Sequence, residues 1–117
     1  MNSDFILLNR TYQTVEFVLK MLENFPKKEV SIKLYLERVL YEMVECLFTF
    51  NVNDSKKIKS KYIKDYLVKL SMVNFLLHEA FHKKCITYKQ STKVAAFLLE
   101  LKKIGVTILK GLDNAEI

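Results

Sequence analysis

The segment His78–His82 is the one stretch whose residue types and spacing match a catalytic motif, H-E-x-x-H. On a helix, histidines four residues apart can share a metal ion, while the intervening glutamate acts as general base on bound water. Catalytic zinc needs a third protein ligand, and the downstream candidate is Glu100, in the middle of the last predicted helix. Zinc proteases normally also supply a sheet edge, and no strand is predicted. We therefore interpret His78 and His82 as surface or boundary histidines.

Other enzyme motifs are absent from the sequence. It contains no Gly-rich loop, no C-x-x-C and no G-x-S-x-G. Cys46 and Cys85 have no metal-type spacing, and we predict that both are reduced thiols, with Cys46 in the core. The prediction is a protein that is not an enzyme and that has no catalytic residue, metal or cofactor.

Positive charge is the stronger functional signal, and it is concentrated in the second half. Residues 1–50 carry 6 Lys+Arg and 7 Asp+Glu, whereas residues 51–117 carry 13 and 6. Lys57, Lys61 and Lys64 are spaced by four and three residues and line one side of a helix, with Lys56 and Lys59 beside them. A second group surrounds the next turn and consists of Lys83, Lys84, Lys89 and Lys93. Such charges contact phosphates without reading sequence, so we predict nucleic-acid binding.

Two alternatives to nucleic acid stay open. The lysines could form a solvated face or bind an acidic protein, which would make the chain a helical adaptor. Tyr62 and Tyr66 lie among the lysines and could stack on bases of a single strand. The other interpretation places Tyr66 in the core, which we favour, and Tyr62 at the boundary.

Length and composition indicate a single all-α domain, residues 1–117. Half of the 117 residues are apolar, which excludes disorder, and two Gly and one Pro supply too few turns for a sheet. No window resembles a membrane span and the N-terminus does not resemble a signal peptide. We therefore expect a cytoplasmic protein that does not bind membranes.

Four helices follow from apolar repeats at alternating steps of three and four residues. The first is capped by Asn2 or Ser3 and runs to about Asn24, and the second starts just after Pro26. The loop 51–55 precedes the third, which is capped by Asp54 or Ser55 and ends near Lys83 or Lys84. Its stripe is Ile63, Tyr66, Leu70, Val73, Leu77 and Ala80.

The fourth helix begins at a capping box of Thr87 and Gln90. Gly111 is its predicted C-terminal cap, followed by a frayed tail from Asp113 to Ile117. Short loops make this an antiparallel up-down-up-down four-helix bundle. Apolar residues also lie off the main stripes, and they either thicken the core or form a surface for self-association. They are Phe5, Phe17, Val18, Tyr35, Val44, Phe75 and Phe81.

From about Leu8 onward the chain resembles a family of small four-helix bundle proteins. This family includes the accessory variability determinant of diversity-generating retroelements and the proteins encoded by intervening sequences in bacterial large-subunit ribosomal RNA genes. The matching residues are Phe25-Pro26-Lys27-Lys28-Glu29, Leu70, Val73, Leu76, Leu77, Ala80, Ile86-Thr87, Leu98-Leu99-Glu100, Ile104 and Gly111.

In the retroelement members, the resemblance implies a basic homopentamer without catalytic activity that binds a reverse transcriptase and its template RNA. It adds two residues to the nucleic-acid-binding set, which becomes Lys27, Lys28, Lys56, Lys57, Lys59, Lys61, Lys64, Lys83, Lys84, Lys89 and Lys93. The expected function is therefore that of a non-enzymatic, self-associating accessory protein that binds RNA or DNA. The expected partners are nucleic acid, a reverse transcriptase and further copies of the chain.

Overall fold

A computed structural model describes residues 3–115, and four helices account for most of them. Their bounds are α1 Ser3–Leu22, α2 Val30–Val52, α3 Lys56–His82 and α4 Tyr88–Ala115, with a short 3-10 turn at Lys27–Glu29. These residues contain no strand, so the predicted all-α class is confirmed for them. None of these helices combines the length and the hydropathy needed to cross a membrane.

The four helices surround one core in an elongated shape of 49 × 22 × 21 Å. Each helix packs against two others: α2 and α4 both contact α1 and both contact α3. All six residues of the predicted α3 stripe are buried, because the three-four spacing keeps them on the side that faces the other helices. Gly105 of α4 packs closely against α3, and an added Cβ there would lie 3.0 Å from the Leu67 side chain.

Tyr66 is a fully buried tyrosine, as predicted, and its hydroxyl is satisfied inside the core. Thr11 donates its hydroxyl hydrogen to the Leu7 carbonyl oxygen at 2.7 Å, so its Oγ1 accepts from the Tyr66 hydroxyl, also at 2.7 Å. Burial raises the pKa of Tyr66 well above its usual value. The pair connects α1 to α3 through the centre of the core.

Polar contacts fix the helix ends close to where the sequence predicts them. Ser55, not Asp54, caps α3, and its Oγ accepts from the Ile58 amide at 3.3 Å. The capping box is confirmed: the Gln90 amide donates to Thr87 Oγ1 and the Thr87 amide donates to Gln90 Oε1. The predicted cap of α1 at Asn2 or Ser3 lies outside the described side chains.

Three boundaries differ from the sequence prediction. α2 continues through Asn51 to Val52, so the loop predicted over residues 51–55 begins only at Asn53. The 3-10 turn at Lys27–Glu29 intervenes after Pro26, so α2 begins only at Val30. The predicted C-terminal cap at Gly111 is wrong, because α4 continues through this residue to Ala115 and Gly111 does not have a positive φ. Residues 113–115 are therefore helical and not frayed. The last turn is held by Leu112, which packs against the core, and by Asp113, which accepts from the Ser60 hydroxyl at 3.3 Å.

The off-stripe apolar residues divide between the core and the surface. Val18 is fully buried, and three others are half-buried against the core, namely Phe17, Val44 and Phe81. Phe5, Tyr35 and Phe75 are exposed. The core interpretation is therefore confirmed for the buried and half-buried residues, while a self-association surface at the three exposed residues stays a prediction.

Candidate nucleic-acid interface

Three of the predicted lysines on α3 share one surface depression. Lys57, Lys61 and Lys64 line this shallow depression of about 370 Å³ on the N-terminal half of α3, and we call them the α3 lysine face. Asp65 and Asp113 line it as well, and Lys61 Nζ lies 3.3 Å from Asp65 Oδ2. Three positive and two negative side chains leave this surface with a net charge of only +1.

Lys59 differs from the other candidates because it is half-buried and makes specific contacts. Its Nζ donates to the Phe50 carbonyl oxygen at 2.8 Å and lies 4.1 Å from the centre of the Phe50 ring. A cation at the C-terminal end of α2 is favourable because the last carbonyls of a helix carry partial negative charge. Lys59 therefore joins the end of α2 to the start of α3.

At the far end of α3, two turns that are distant in sequence come together. Lys83 Nζ lies 3.7 Å from Glu29 Oε2, which places the 3-10 turn beside the turn that follows α3. The Cys85 thiol between them has a raised pKa because of its partial burial and the charge of Glu29, while Lys83 and Lys28 act in the opposite direction. The lysines gathered here are Lys27, Lys28, Lys83 and Lys84, and we call them the bundle-end cluster.

Two further candidates extend this cluster onto α4. Lys89 lies in the first turn of α4 and is exposed. Lys93, one turn later, is also exposed, and its Nζ lies 5.1 Å from the centre of the Phe17 ring of α1. About 28 Å of helix axis, or 19 residues at 1.5 Å each, separates Lys64 from Lys83. The structure therefore separates the α3 lysine face from the lysines at the far end of α3, while Lys56 and Lys59 line a third depression with Asp4 and Asp54.

Few carboxylates neutralise these lysines. Of the eleven candidates, ten are exposed, and within the described part of the chain only Lys61 and Lys83 form ion pairs with carboxylates. The lysine side chains of the two pairs are 63% and 48% exposed, and ion pairs at exposed positions contribute little to stability. Most of the positive charge is therefore free to attract an anionic partner.

Lys84 has an unusual backbone conformation. Its φ is +63°, in the left-handed region, and it is the one described non-glycine residue with a positive φ. The Cys85 amide donates to the Ala80 carbonyl oxygen at 2.8 Å across this residue, which closes the last turn of α3. Helices often end in this way, but with glycine at the left-handed position. Here the position carries a charged side chain that points out into solvent.

Of the two tyrosines that could stack on bases, the structure leaves only Tyr62 partly accessible. Tyr66 is unavailable for base stacking because it is fully buried. Tyr62 is half-buried against the core, and Lys61 Nζ lies 4.4 Å from the centre of its ring. The lysines are therefore the main feature of this surface, with Tyr62 as the one aromatic ring beside them on α3.

The H-E-x-x-H histidines are exposed on the last turns of α3. His78 Nε2 and His82 Nε2 are 3.1 Å apart, and the two rings meet nearly at right angles. Glu100 Oε1, the candidate third ligand, instead forms an ion pair with Arg10 Nε at 2.9 Å. In residues 3–115, no group of three or more His, Cys, Asp or Glu side chains is arranged to hold a metal.

The sequence analysis missed a groove on the opposite side of the bundle. Tyr12, Val15, Tyr41, Val44 and Phe48 line it between α1 and α2, and its volume is about 430 Å³. The Tyr12 ring of α1 and the Phe48 ring of α2 meet across it, with centroids 6.5 Å apart. Two glutamates, one from each helix, complete the lining, and no lysine does. The sequence does contain a pattern that indicates this groove: Tyr41, Val44 and Phe48 of α2 are spaced by three and four residues, which places them on one face of the helix.

The fold and these surfaces define a class: a small all-helical protein with two exposed basic surfaces and an apolar groove. No known protein family, curated protein or solved structure matches the chain. The family resemblance given above therefore stays an expectation.

Proposed function

We propose that this chain is a non-enzymatic accessory protein that binds the phosphate backbone of nucleic acid. The observation that carries the proposal is the bundle-end cluster, in which two turns separated by more than fifty residues of sequence place four lysines together. Converging charges of one sign raise the local potential more than the same charges spread over a surface. Lysine side chains bind phosphates as point charges and need no particular base.

The bundle-end cluster is the primary contact in this proposal, and the α3 lysine face is the secondary one. Glu29 is the acidic residue paired at the bundle end, where its carboxylate lies 3.7 Å from Lys83 Nζ. The α3 lysine face contains two carboxylates for three lysines. Because each carboxylate repels phosphate as strongly as a lysine attracts it, the bundle end should contribute more binding free energy.

We also propose that the four helices alternate in direction, as in an up-down-up-down bundle. The pairs of contacting residues support this arrangement. Lys59 contacts Phe50 and Lys69 contacts Glu42. Later residues of α3 therefore contact earlier residues of α2, as in an antiparallel pair of helices. On α1 and α4, the ion pair of Arg10 with Glu100 and the ring contact of Phe17 with Phe97 follow the same rule.

RNA is the nucleic acid that the family resemblance favours. The resemblance also supplies a protein partner for the proposal, the reverse transcriptase of a retroelement. The lysines lie on α3, α4 and the turns, whereas the apolar groove lies between α1 and α2, so RNA and a protein would contact different sides of the bundle. The proposed role is to hold an RNA and a protein together without catalysing a reaction.

The affinity for a structured RNA should fall steeply with salt. Binding of each phosphate releases counterions, so the slope of log affinity against log salt is about −0.7 to −0.9 for each lysine contact. Four to six contacts predict a slope of roughly −3 to −5. Fluorescence anisotropy of a labelled RNA hairpin between about 50 and 200 mM salt would measure it.

A single strand of the same composition serves as comparison, because weaker binding to it would indicate contacts to a duplex backbone. No binding to either RNA at the lowest salt would refute the proposal. The lysines would then form a solvated face, and an acidic protein would become the partner to search for.

The α1–α2 groove favours a second role for the same chain, self-association. Tyr41 and Phe48 are exposed by 60% and 50%, and large apolar side chains clustered on one groove are typical of protein interfaces. We propose that a second copy of the chain covers this groove. The observation favouring a copy of this chain is the rim of Glu16 and Glu45, which complements the basic surfaces on α3.

Replacing Phe48 with serine should shift the protein toward the monomer. The side chain is exposed, so the substitution removes interface area without creating a cavity in the core. Light scattering coupled to size-exclusion chromatography would give the mass of both proteins over a range of concentrations. Val68→Ser on α3, which removes an exposed apolar side chain outside the groove, is the matched control. A wild-type protein that stays monomeric at high concentration would exclude self-association.

A further inference from the structure

We infer that His78 and His82 form a two-ligand binding site for a divalent transition-metal ion. This site is independent of the nucleic-acid proposal. It also differs from a catalytic zinc site, because the chain supplies two ligands and leaves the remaining positions to water. The inference rests on the geometry of the two rings, their exposure and the ligand chemistry of imidazole.

The distance between the two nitrogens fits a shared metal ion. His78 Nε2 and His82 Nε2 are 3.1 Å apart. Ring nitrogens bound to Zn²⁺ at about 2.0–2.1 Å are about 2.9 Å apart at a right angle and about 3.4 Å apart at the tetrahedral angle. The observed separation lies between these limits, so one ion can bind both nitrogens without a change of backbone.

Neighbouring rings hold the pair in this arrangement. The His82 ring packs against Phe81 at 5.8 Å between centroids, and Phe81 in turn contacts Tyr88 of α4 at 6.3 Å. The two histidine rings meet edge to face with centroids 4.5 Å apart. Ligands that are already oriented lose less conformational entropy on binding, which favours the complex.

Without a metal, the same two nitrogens share one hydrogen. One Nε2–H donates and the other Nε2 accepts at 3.1 Å. A metal needs the lone pair of both nitrogens, so binding moves the hydrogen of the donating ring to its Nδ1 and breaks the hydrogen bond between the rings. Both rings are exposed, and their Nδ1–H groups can then donate to water.

Titration of the full-length, untagged protein with CuCl2, NiCl2 and ZnCl2 tests the site. One ion per chain should bind, with Cu²⁺ bound more tightly than Ni²⁺ or Zn²⁺, because nitrogen ligands follow this order. His78→Ala and His82→Ala should each weaken binding at least about tenfold, since even the loss of an outer-shell partner costs 10–100-fold. Glu79→Gln is the matched control and should leave the affinity unchanged.

A structural readout accompanies the affinities. In ¹⁵N spectra of the histidine rings, Zn²⁺ should shift the Nε2 signals of both residues together and leave a backbone spectrum typical of the folded protein. Equal affinity in the wild type and both alanine variants would place the ion elsewhere and overturn the inference. The absence of saturable binding in the wild type would overturn it too, leaving only a hydrogen-bonded pair.

Discussion

Replacing Lys27, Lys28 and Lys84 together with glutamine is expected to weaken binding to structured RNA by about 100-fold in low salt. These three lysines belong to the bundle-end cluster and form no ion pair with any carboxylate of the described residues. The slope of log affinity against log salt should become shallower by about 2 to 3, because three phosphate contacts are lost. Glutamine keeps the length and polarity of the side chain, so the fold should be unaffected.

Two further triple variants make this result interpretable. Replacing Lys57, Lys61 and Lys64 with glutamine should weaken RNA binding only about tenfold, because Asp65 and Asp113 already offset part of their charge. The control removes the same charge from exposed positions in the middle of α2 and α4, at Arg38, Lys102 and Lys103. It should change affinity by less than about threefold.

The ranking of the three variants decides the assignment. Equal losses in all three would mean that net charge alone drives binding and that no surface is special. A larger loss on the α3 lysine face than at the bundle end would reverse the primary and secondary contacts. Circular dichroism and thermal unfolding of each variant would confirm that only binding has changed.

Replacing Thr11 with valine is expected to lower the free energy of unfolding by about 1–3 kcal/mol. Valine has the shape of threonine but no hydroxyl, so the buried Tyr66 hydroxyl loses its acceptor at 2.7 Å. Burial prevents water from replacing that partner, because Tyr66 has no exposed surface. Urea unfolding of the wild type and the variant would measure the difference.

Thr11→Ser is the matched control, because it keeps the hydroxyl and should retain most of the hydrogen-bond free energy. Tyr66→Phe should lower the free energy of unfolding by about 0.5–1.5 kcal/mol, less than Thr11→Val, because the Thr11 hydroxyl still donates to Leu7. In the double variant both partners are gone, so the two losses should not add. Additive losses would show that the hydroxyls are not coupled.

The sequence predicts the helices well because their apolar repeat is strong and uninterrupted. In α3, six residues at three-four spacing, from Ile63 to Ala80, are all buried. The capping box of Thr87 and Gln90 forms because its two hydrogen bonds join residues three apart, and the sequence contains that spacing directly. The prediction of a helix end at Gly111 is wrong because a helix end also depends on tertiary contacts, here those of Leu112 and Asp113.

The candidate site is only partly predictable, because its main cluster joins residues that are far apart in sequence. The spacing within α3 places Lys57, Lys61 and Lys64 on one surface, as the structure does. No local pattern could place Lys28 next to Lys83, since that proximity depends on how the helices pack. Nor could the spacing show that Asp113 of α4 lies among the α3 lysines.

The backbone at Lys84 suggests that stability and charge compete at one position of this chain. A left-handed residue other than glycine costs roughly 1–2 kcal/mol, so glycine here would give a more stable turn. Glycine would also remove one positive charge from the bundle end. A sequence selected only for thermal resistance would therefore differ from this one at Lys84, and engineering that raises the melting temperature there would act directly on the charged surface.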